Sequence, residues 1–421
     1  MTVSSGSSSK TTFEAHNFTF KACSTVRLDA PFCMLYFQDF HWQVIFAIEI
    51  TKIMATILKQ PSVLSFSSTM DDLVIKTTGT KIDLVLQATH GTTTEVLLDE
   101  TYYPDDDGTI TIGQPGDILT PWCRRYGSVD VVAKITEHIG NGKDESDADY
   151  SETETDSTVN IGTVLFANAD PQVTASWFVE NHFLTVLNGE KITAFGRTEC
   201  LSAYGASTLS VTARVLNTTT DEITSIALTL NPANTTGSIY DYNVSPQKIF
   251  DLMAGTNEQQ LLSYTCGAGK RHQSYRVITD DVPPAPCFVF QNSFGCWEYI
   301  YCTGTHSRSS KYTRSTAIIG GLKRNYNIEE ERDFKAQTGW LNEAMADWAG
   351  ELFLSQSIYL YVGGKMGKEV LINGDEKVEI NNEDDNMPSF EFTWNYAQEQ
   401  HNVMDAERQR IFDATFDYTF N

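Results

Sequence analysis

Eight cysteines, eight histidines and one dense run of acids are the side chains of this 421-residue sequence best suited to chemistry. The cysteines stand at positions 23, 33, 123, 200, 266, 287, 296 and 302, with no Cys-x-x-Cys pair and no Cys/His cluster at zinc-finger spacing. That pattern predicts buried, reduced thiols and no zinc site. Cys296 and Cys302, six residues apart, would share a face of a continuous strand but stand too far apart to bridge within it. In the acidic run GNGKDESDADYSETETDST (140–158), Asp144, Asp147, Asp149 and Glu152 offer the oxygens calcium takes, yet the glycine and spacing of a calcium loop are missing. The stretch GGKMGKE (363–369) has the wrong spacing for a phosphate loop and places Glu369 where a hydroxyl should meet magnesium, so it reads as a glycine turn. There is no Gly-x-Ser-x-Gly, no His-Glu-x-x-His and no Gly-x-Gly-x-x-Gly. The expectation is a protein that is not an enzyme, with no catalytic residues, no metal and no cofactor. Scattered Asp and Glu that meet in space as a glycosidase pair are the chemistry that spacing alone does not decide.

The elements that would position such residues are mostly strands. The length suits roughly two to four domains, and 41% hydrophobic with 20% charged residues is the composition of a folded chain. Acids outnumber bases 55 to 30, a formal charge of −25, which repels nucleic acid and anionic lipid. Nucleic acid is therefore not an expected partner. The most apolar stretch, Phe32 to Leu58, is interrupted by Asp39, His41, Glu49 and Lys52, so no membrane insertion is expected. The opening residues lack a basic start followed by an apolar core, which predicts synthesis in the cytoplasm.

Residues 1–58 form an N-terminal segment in which FHWQVIFAIEI (40–50) alternates with the period of a strand. KIDLVLQ (81–87), TEVLLDETYY (94–103) and GTITIG (108–113), the last two separated by the turn PDDDG (104–108), predict a β-sandwich module over 59–139. Residues 140–158 read as an acidic loop or linker. A second sandwich is expected over 159–281, with a hairpin about Asn188-Gly189 in WFVENHFLTVLNGEKITAF (177–195) and strands at 207–216 and 222–230. Residues 282–421 read as a C-terminal α+β assembly unit with an extended tail. It begins with the aromatic stretch FVFQNSFGCWEYIYCTGT (288–305), broken at Asn-Ser-Phe-Gly, where Gly295 is expected in a backbone conformation costly for other residues. Then come an irregular basic patch HSRSSKYTR (306–314) and a helix in TGWLNEAMADWAGELFLS (338–355) capped by Thr338. A strand at 357–362, a hairpin about Asn373-Gly374 and a closing strand at 389–396 complete one helix on an antiparallel sheet. The fold class expected is mainly β and multidomain. Trp42, Trp297, Trp348 and Trp394 lie in periodic patterns that favour core packing over a sugar platform.

FVFQNSFGCWEYIYCTGT, followed by YNIEEERDFKAQTGWLNEAMADWAGELFLSQSIYLY and EVLINGDEKVEINNEDDNMPSFEFTWNYA, resembles the C-terminal half of tail proteins encoded by phages and prophages of Bacteroidetes bacteria. The resemblance covers about 280–400 and carries no family chemistry. It implies a structural subunit of a phage virion at the tail tip, hub or baseplate, made in the bacterial cytoplasm and resident in the tail. By analogy with distal tail and baseplate-hub proteins, its partners would be copies of itself in a ring-like homo-oligomer and other tail proteins. The alternative is a tail-associated adhesin or glycan-binding or glycan-degrading protein whose partner is a host-surface glycan or receptor. On the first reading Phe290, Phe294 and Trp297 are packing residues for assembly. The aromatic terminus RIFDATFDYTF adds Ile411, Phe412, Phe416, Tyr418 and Phe420, which would pack on the subunit or add a strand to a neighbour.

Overall fold

A computed structural model describes residues 36–38, 41–43, 55–143, 146–278, 286–373 and 388–398. The chain is mainly β and divides into two compact units, Met1–Ile53 and Met54–Asn421. In the first unit β1 (Tyr36–Gln38) pairs antiparallel with β2 (His41–Gln43). The remainder of the alternating stretch 40–50 lies outside the described residues, as does the terminal segment 399–421 with Ile411, Phe412, Phe416, Tyr418 and Phe420.

The second unit opens with a sandwich. Its strands are β3 (Thr56–Lys59), β4 (Leu64–Phe66), β5 (Leu73–Lys76), β6 (Lys81–His90), β7 (Thr93–Tyr102) and β8 (Thr109–Ile112), then, after helix α1 (Pro115–Tyr126), β9 (Ser128–Gly140) and β10 (Glu152–Leu165). One sheet has the order β4-β10-β9-β6-β7 and the other β3-β5-β8. Alternate residues of both, such as Ile82, Leu84, Val131 and Ala133 against Leu73, Ile75, Ile110 and Ile112, share one core with Leu119 and Cys123 of α1. The PDDDG turn forms as expected, with Asp105 accepting from the Thr109 amide and Gly108 at φ +75°. Helix α1 is not legible in the sequence, because Pro121 sits inside a run of only twelve residues.

The acidic segment departs from the loop expectation. Gly140 pairs with Glu152 and the ladder runs unbroken from there to Asn160 opposite Val132, so 152–158 is strand and only 141–151 connects. Thr155, Ser157 and Val159 form the half-buried face of β10, while Glu154 and Asp156 face solvent. Threonine and serine fill that inner face too weakly to show as an apolar period.

The second module has helix α2 (Ala175–Asn181), β11 (Glu190–Ala194), β12 (Cys200–Tyr204), β13 (Leu209–Asn217), β14 (Ile223–Leu230), β15 (Asn234–Thr236), β16 (Ile239–Asn243), α3 (Pro246–Leu252), β17 (Gln259–Ala268) and β18 (Arg271–Ile278). The order β11-β18-β17-β13-β14 faces β12-β16-β15 across a core that includes the stacked pair Tyr264 and Tyr275. The Asn188-Gly189 hairpin is not formed. Residues 175–181 are helical, burying Ala175 and Val179 one turn apart, and β11 pairs in parallel with β18, Glu190 opposite Ser274 and Ala194 opposite Ile278. A non-local partner has overridden a local turn signal.

The third module has β19 (Cys287–Gln291), β20 (Trp297–Tyr301), β21 (His306–Ile319), β22 (Leu322–Gln337), helix α4 (Glu343–Leu354), β23 (Ile358–Val362), β24 (Lys365–Asn373) and β25 (Glu391–Tyr396). These strands form one antiparallel sheet in the order β20-β19-β23-β24-β25-β22-β21. Helix α4 packs on it through Met345, Trp348, Ala349 and Leu352 against Phe288, Phe290, Phe392 and Trp394. Its N-cap is Asn342, whose side chain accepts from the Met345 amide at 2.8 Å. Thr338, the expected cap, instead accepts from the Phe390 amide at 3.0 Å, and Gly339 at φ +76° separates it from the helix. Gly363 and Gly364, both at positive φ, close the β23–β24 turn. Beyond Asn373 the predicted hairpin lies outside the described residues.

Candidate functional site

The aromatic stretch is a hairpin rather than one broken strand, and it faces inward. Asn292 to Cys296 make its turn: the Asn292 side chain accepts from the amides of Phe294 and Cys296, and Gly295 sits at φ +73°. A Cβ on Gly295 would come within 3.0 Å of Phe166. The expected backbone constraint at Gly295 is therefore present, for reasons of both conformation and space. The turn also puts Cys296 and Cys302 in different clusters: Cys302 joins the α4 core, Cys296 a separate one.

That separate cluster is where the three modules of the second unit meet. Phe66 and Leu165 come from the first, Val179, Leu184 and Ile239 from the second, and Phe294 and Cys296 from the third. Phe294 stacks on Phe178 with centroids 4.8 Å apart and lies 6.0 Å from Phe66. Beside it runs a polar seam. Lys191 pairs with Glu199 at 2.7 Å, donates to the Tyr299 carbonyl at 3.1 Å and lies 4.1 Å from the Trp348 ring centroid. Trp348 Nε1 donates to Glu298, whose full burial holds its carboxyl above the ordinary range, with Lys191 opposing that shift. Burial likewise pushes the thiols of Cys123, Cys200 and Cys266 up to about 12, which leaves them unreactive. The three assembly candidates of this stretch thus divide: Phe290 is fully buried in the α4 core, Phe294 is buried at the junction, and Trp297 is half-buried edge-on to Tyr359. Phe294 packs between modules, whereas Phe290 and Trp297 pack on elements of the third module.

The surface that stands out is β21–β22. Ile319 pairs with Leu322 across Gly320 and Gly321, both at positive φ, a two-residue turn of the kind that favours glycine at both positions. The base is fixed. Phe334 pairs with Trp394 across the β22–β25 ladder and stacks on it at 4.3 Å, and Phe334 and Ala336 are buried in the α4 core. Only Phe334–Gln337 pair with β25, so from the Ser309–Asp333 rung to the tip no third strand joins, among the described residues. Eleven residues at about 3.3 Å each make an arm of roughly 35 Å. Cross-strand contacts lace its lower half, Lys311 with Glu331 at 3.1 Å and Tyr312 to Glu330 at 2.9 Å, and along β22 Arg332 pairs with Glu330, whose carboxylate raises the guanidinium's already high pKa. The upper half exposes Ile318 at 77%, Leu322 at 60%, Tyr326 at 66% and Ile328 at 55%. The sequence pattern predicts only an irregular basic patch over 306–314, whereas 306–337 forms this arm; the sequence signal for it is Gly320-Gly321 between strand-forming runs.

A smaller polar cleft lies between α2 and β18, lined by His182, Asn188, Glu190, His272 and Gln273, with the exposed Trp177 ring 5.3 Å from that of His182. It has a single carboxylate, Glu190, whose side chain pairs with Arg276 at 3.5 Å. No protein-family model matches the sequence, and comparison with curated proteins returns no match.

Proposed function

We propose that this protein is a structural, non-enzymatic subunit that assembles by protein–protein contacts, as part of a phage virion at the tail tip, hub or baseplate. The observation that carries the assembly reading is the β21–β22 arm. An isolated two-stranded hairpin is marginal in water, and a cluster of exposed aliphatic and aromatic side chains at the end of a rigidly based arm marks a contact surface. Placement in a tail comes from the resemblance of 288–305 and its following segments, and ring formation from the same analogy. The Trp177–His182 cleft favours a second reading, glycan binding, since an aromatic face beside amide and imidazole groups suits a sugar.

Antibody labelling of purified phage particles by electron microscopy tests the proposal. Label at one end of the tail is the expected result. A chain that stays in the lysate and never enters particles overturns the virion reading, and retention on a glycan array that is lost in Trp177→Ala would support the second one.

A further inference from the structure

We propose that the arm tip of one copy docks on the acidic outer face of the first-module sheet of a second copy; this rests on the assembly reading and names its partner. From His306 to Ile328 the chain carries Arg308, Lys311, Arg314, Lys323 and Arg324 and no acid, within a protein of net charge −25. Residues 55–165 hold 19 acidic and 7 basic residues, a net −12. Opposite fields of this kind on two parts of one chain attract in trans and set orientation.

The acids are not spread evenly. Ile82, Leu84 and Leu86 of β6 and Val129, Val131 and Ala133 of β9 face the sandwich core, so the alternate residues form the outer face. The register brings Asp83 and Asp99 of β6 and β7, Asp130 of β9, and Glu154 and Asp156 of β10 onto that face, where they outnumber its cations Lys81 and Lys134. Threonine hydroxyls hold several of these carboxylates in place: Thr136 donates to Asp156 at 2.8 Å, Thr163 to Asp130 at 2.6 Å and Thr101 to Asp83 at 2.5 Å. Among them runs an apolar strip, with Gln87 flanked by Val96 and Val132 on the neighbouring strands and Val85 beside it; Val96 is 54% exposed. The arm tip is the counterpart in shape and sign. Ile319 and Leu322 pair on one side of the ribbon beside Arg324, and Ile318 lies on the other side beside Lys323, with Arg314 further down that side, so each side carries apolar side chains next to cations. An arm of roughly 35 Å also matches strands β9 and β10, whose 13 and 14 residues extend about 43 to 46 Å. Tip and face are different patches on the same chain, so the contact is heterologous and repeats from copy to copy, closing a ring or continuing as a filament.

The test uses the full chain in sedimentation equilibrium at low and high salt. One variant reverses the tip (Arg314→Glu, Lys323→Glu, Arg324→Glu), another the face (Asp99→Lys, Asp130→Lys, Asp156→Lys), and a third carries both sets. Wild type is expected to self-associate, less so at high salt, each reversal to weaken association about tenfold or more, and the combined variant to recover it. Unchanged urea midpoints in all three show that the fold is intact. Self-association that persists equally in both reversals, or is not recovered in the combined variant, overturns this inference and leaves the assembly reading standing. A wild-type chain that stays monomeric and enters no particle overturns both. Arm-dependent binding to vesicles of mixed anionic and zwitterionic lipid, with self-association indifferent to the tip reversal, overturns it in favour of a membrane target.

Discussion

Two antiparallel hairpins follow each other in this chain, and they meet opposite fates. β19–β20 is covered on both sides, by α4 on one and by the second module on the other, where the Thr198 amide donates to the Tyr301 hydroxyl at 2.6 Å and Thr198 meets the Tyr361 hydroxyl at 3.1 Å. β21–β22 leaves its sheet after one short stretch of pairing and, among the described residues, is bare beyond it. Both have strand-forming residues and glycine-bearing turns with positive φ. The difference is what lies above and below each ladder. A hairpin becomes a core when other layers close on it and a contact arm when none does, and composition runs the same way: CFVFQ and WEYIY are aromatic and apolar, whereas HSRSSKYTR and EEERD are polar and charged.

The largest test of that contrast is at the junction. Phe294→Ala removes a buried ring shared by three modules and is expected to cost about 3 to 5 kcal/mol in urea unfolding. A loss under about 1 kcal/mol would show that the junction does not hold the modules together. Gly295→Val comes next. It places a branched side chain at φ +73° and against Phe166, and should cost about 1 to 3 kcal/mol, read from the same transition. A midpoint equal to wild type would remove the conformational argument.

A third test reads pH. The Glu298 carboxyl titrates in the fold above its ordinary value of 4.5, because burial disfavours the ion. The folded state therefore binds the proton more tightly than the unfolded chain. Its contribution is complete below the unfolded value and declines as pH rises from about 4.5 through the raised folded value. In Glu298→Gln that decline should vanish from thermal midpoints measured across this window, while Trp348 keeps an oxygen to donate to. An identical pH profile in the two proteins would assign the slope to other groups. The smallest effect is expected on the arm: Ile318→Ser with Leu322→Ser should shift the urea midpoint by no more than about 0.5 kcal/mol, because both side chains are already in water. A loss comparable to that of Phe294→Ala would mean that the tip packs within its own subunit.

Sequence determined the elements whose pattern is strong and whose partners are near. The period-two runs at β6, β7, β8, β13, β14 and β25, the helical repeat of Leu341, Met345, Trp348 and Leu352, and the turns at Gly108 and Gly363 were all readable, because alternation and glycine reflect local sterics and one-sided burial. The mainly β class followed from them. Tertiary structure alone decided the rest. It drew Glu190–Ala194 away from its local turn into a parallel pair with β18, and gave Glu152–Thr158 a strand partner despite its acids. It also turned Phe290 and Phe294 inward and left Ile318 and Leu322 outside. In each case the deciding free energy comes from surfaces far apart in sequence, which spacing along the chain does not encode.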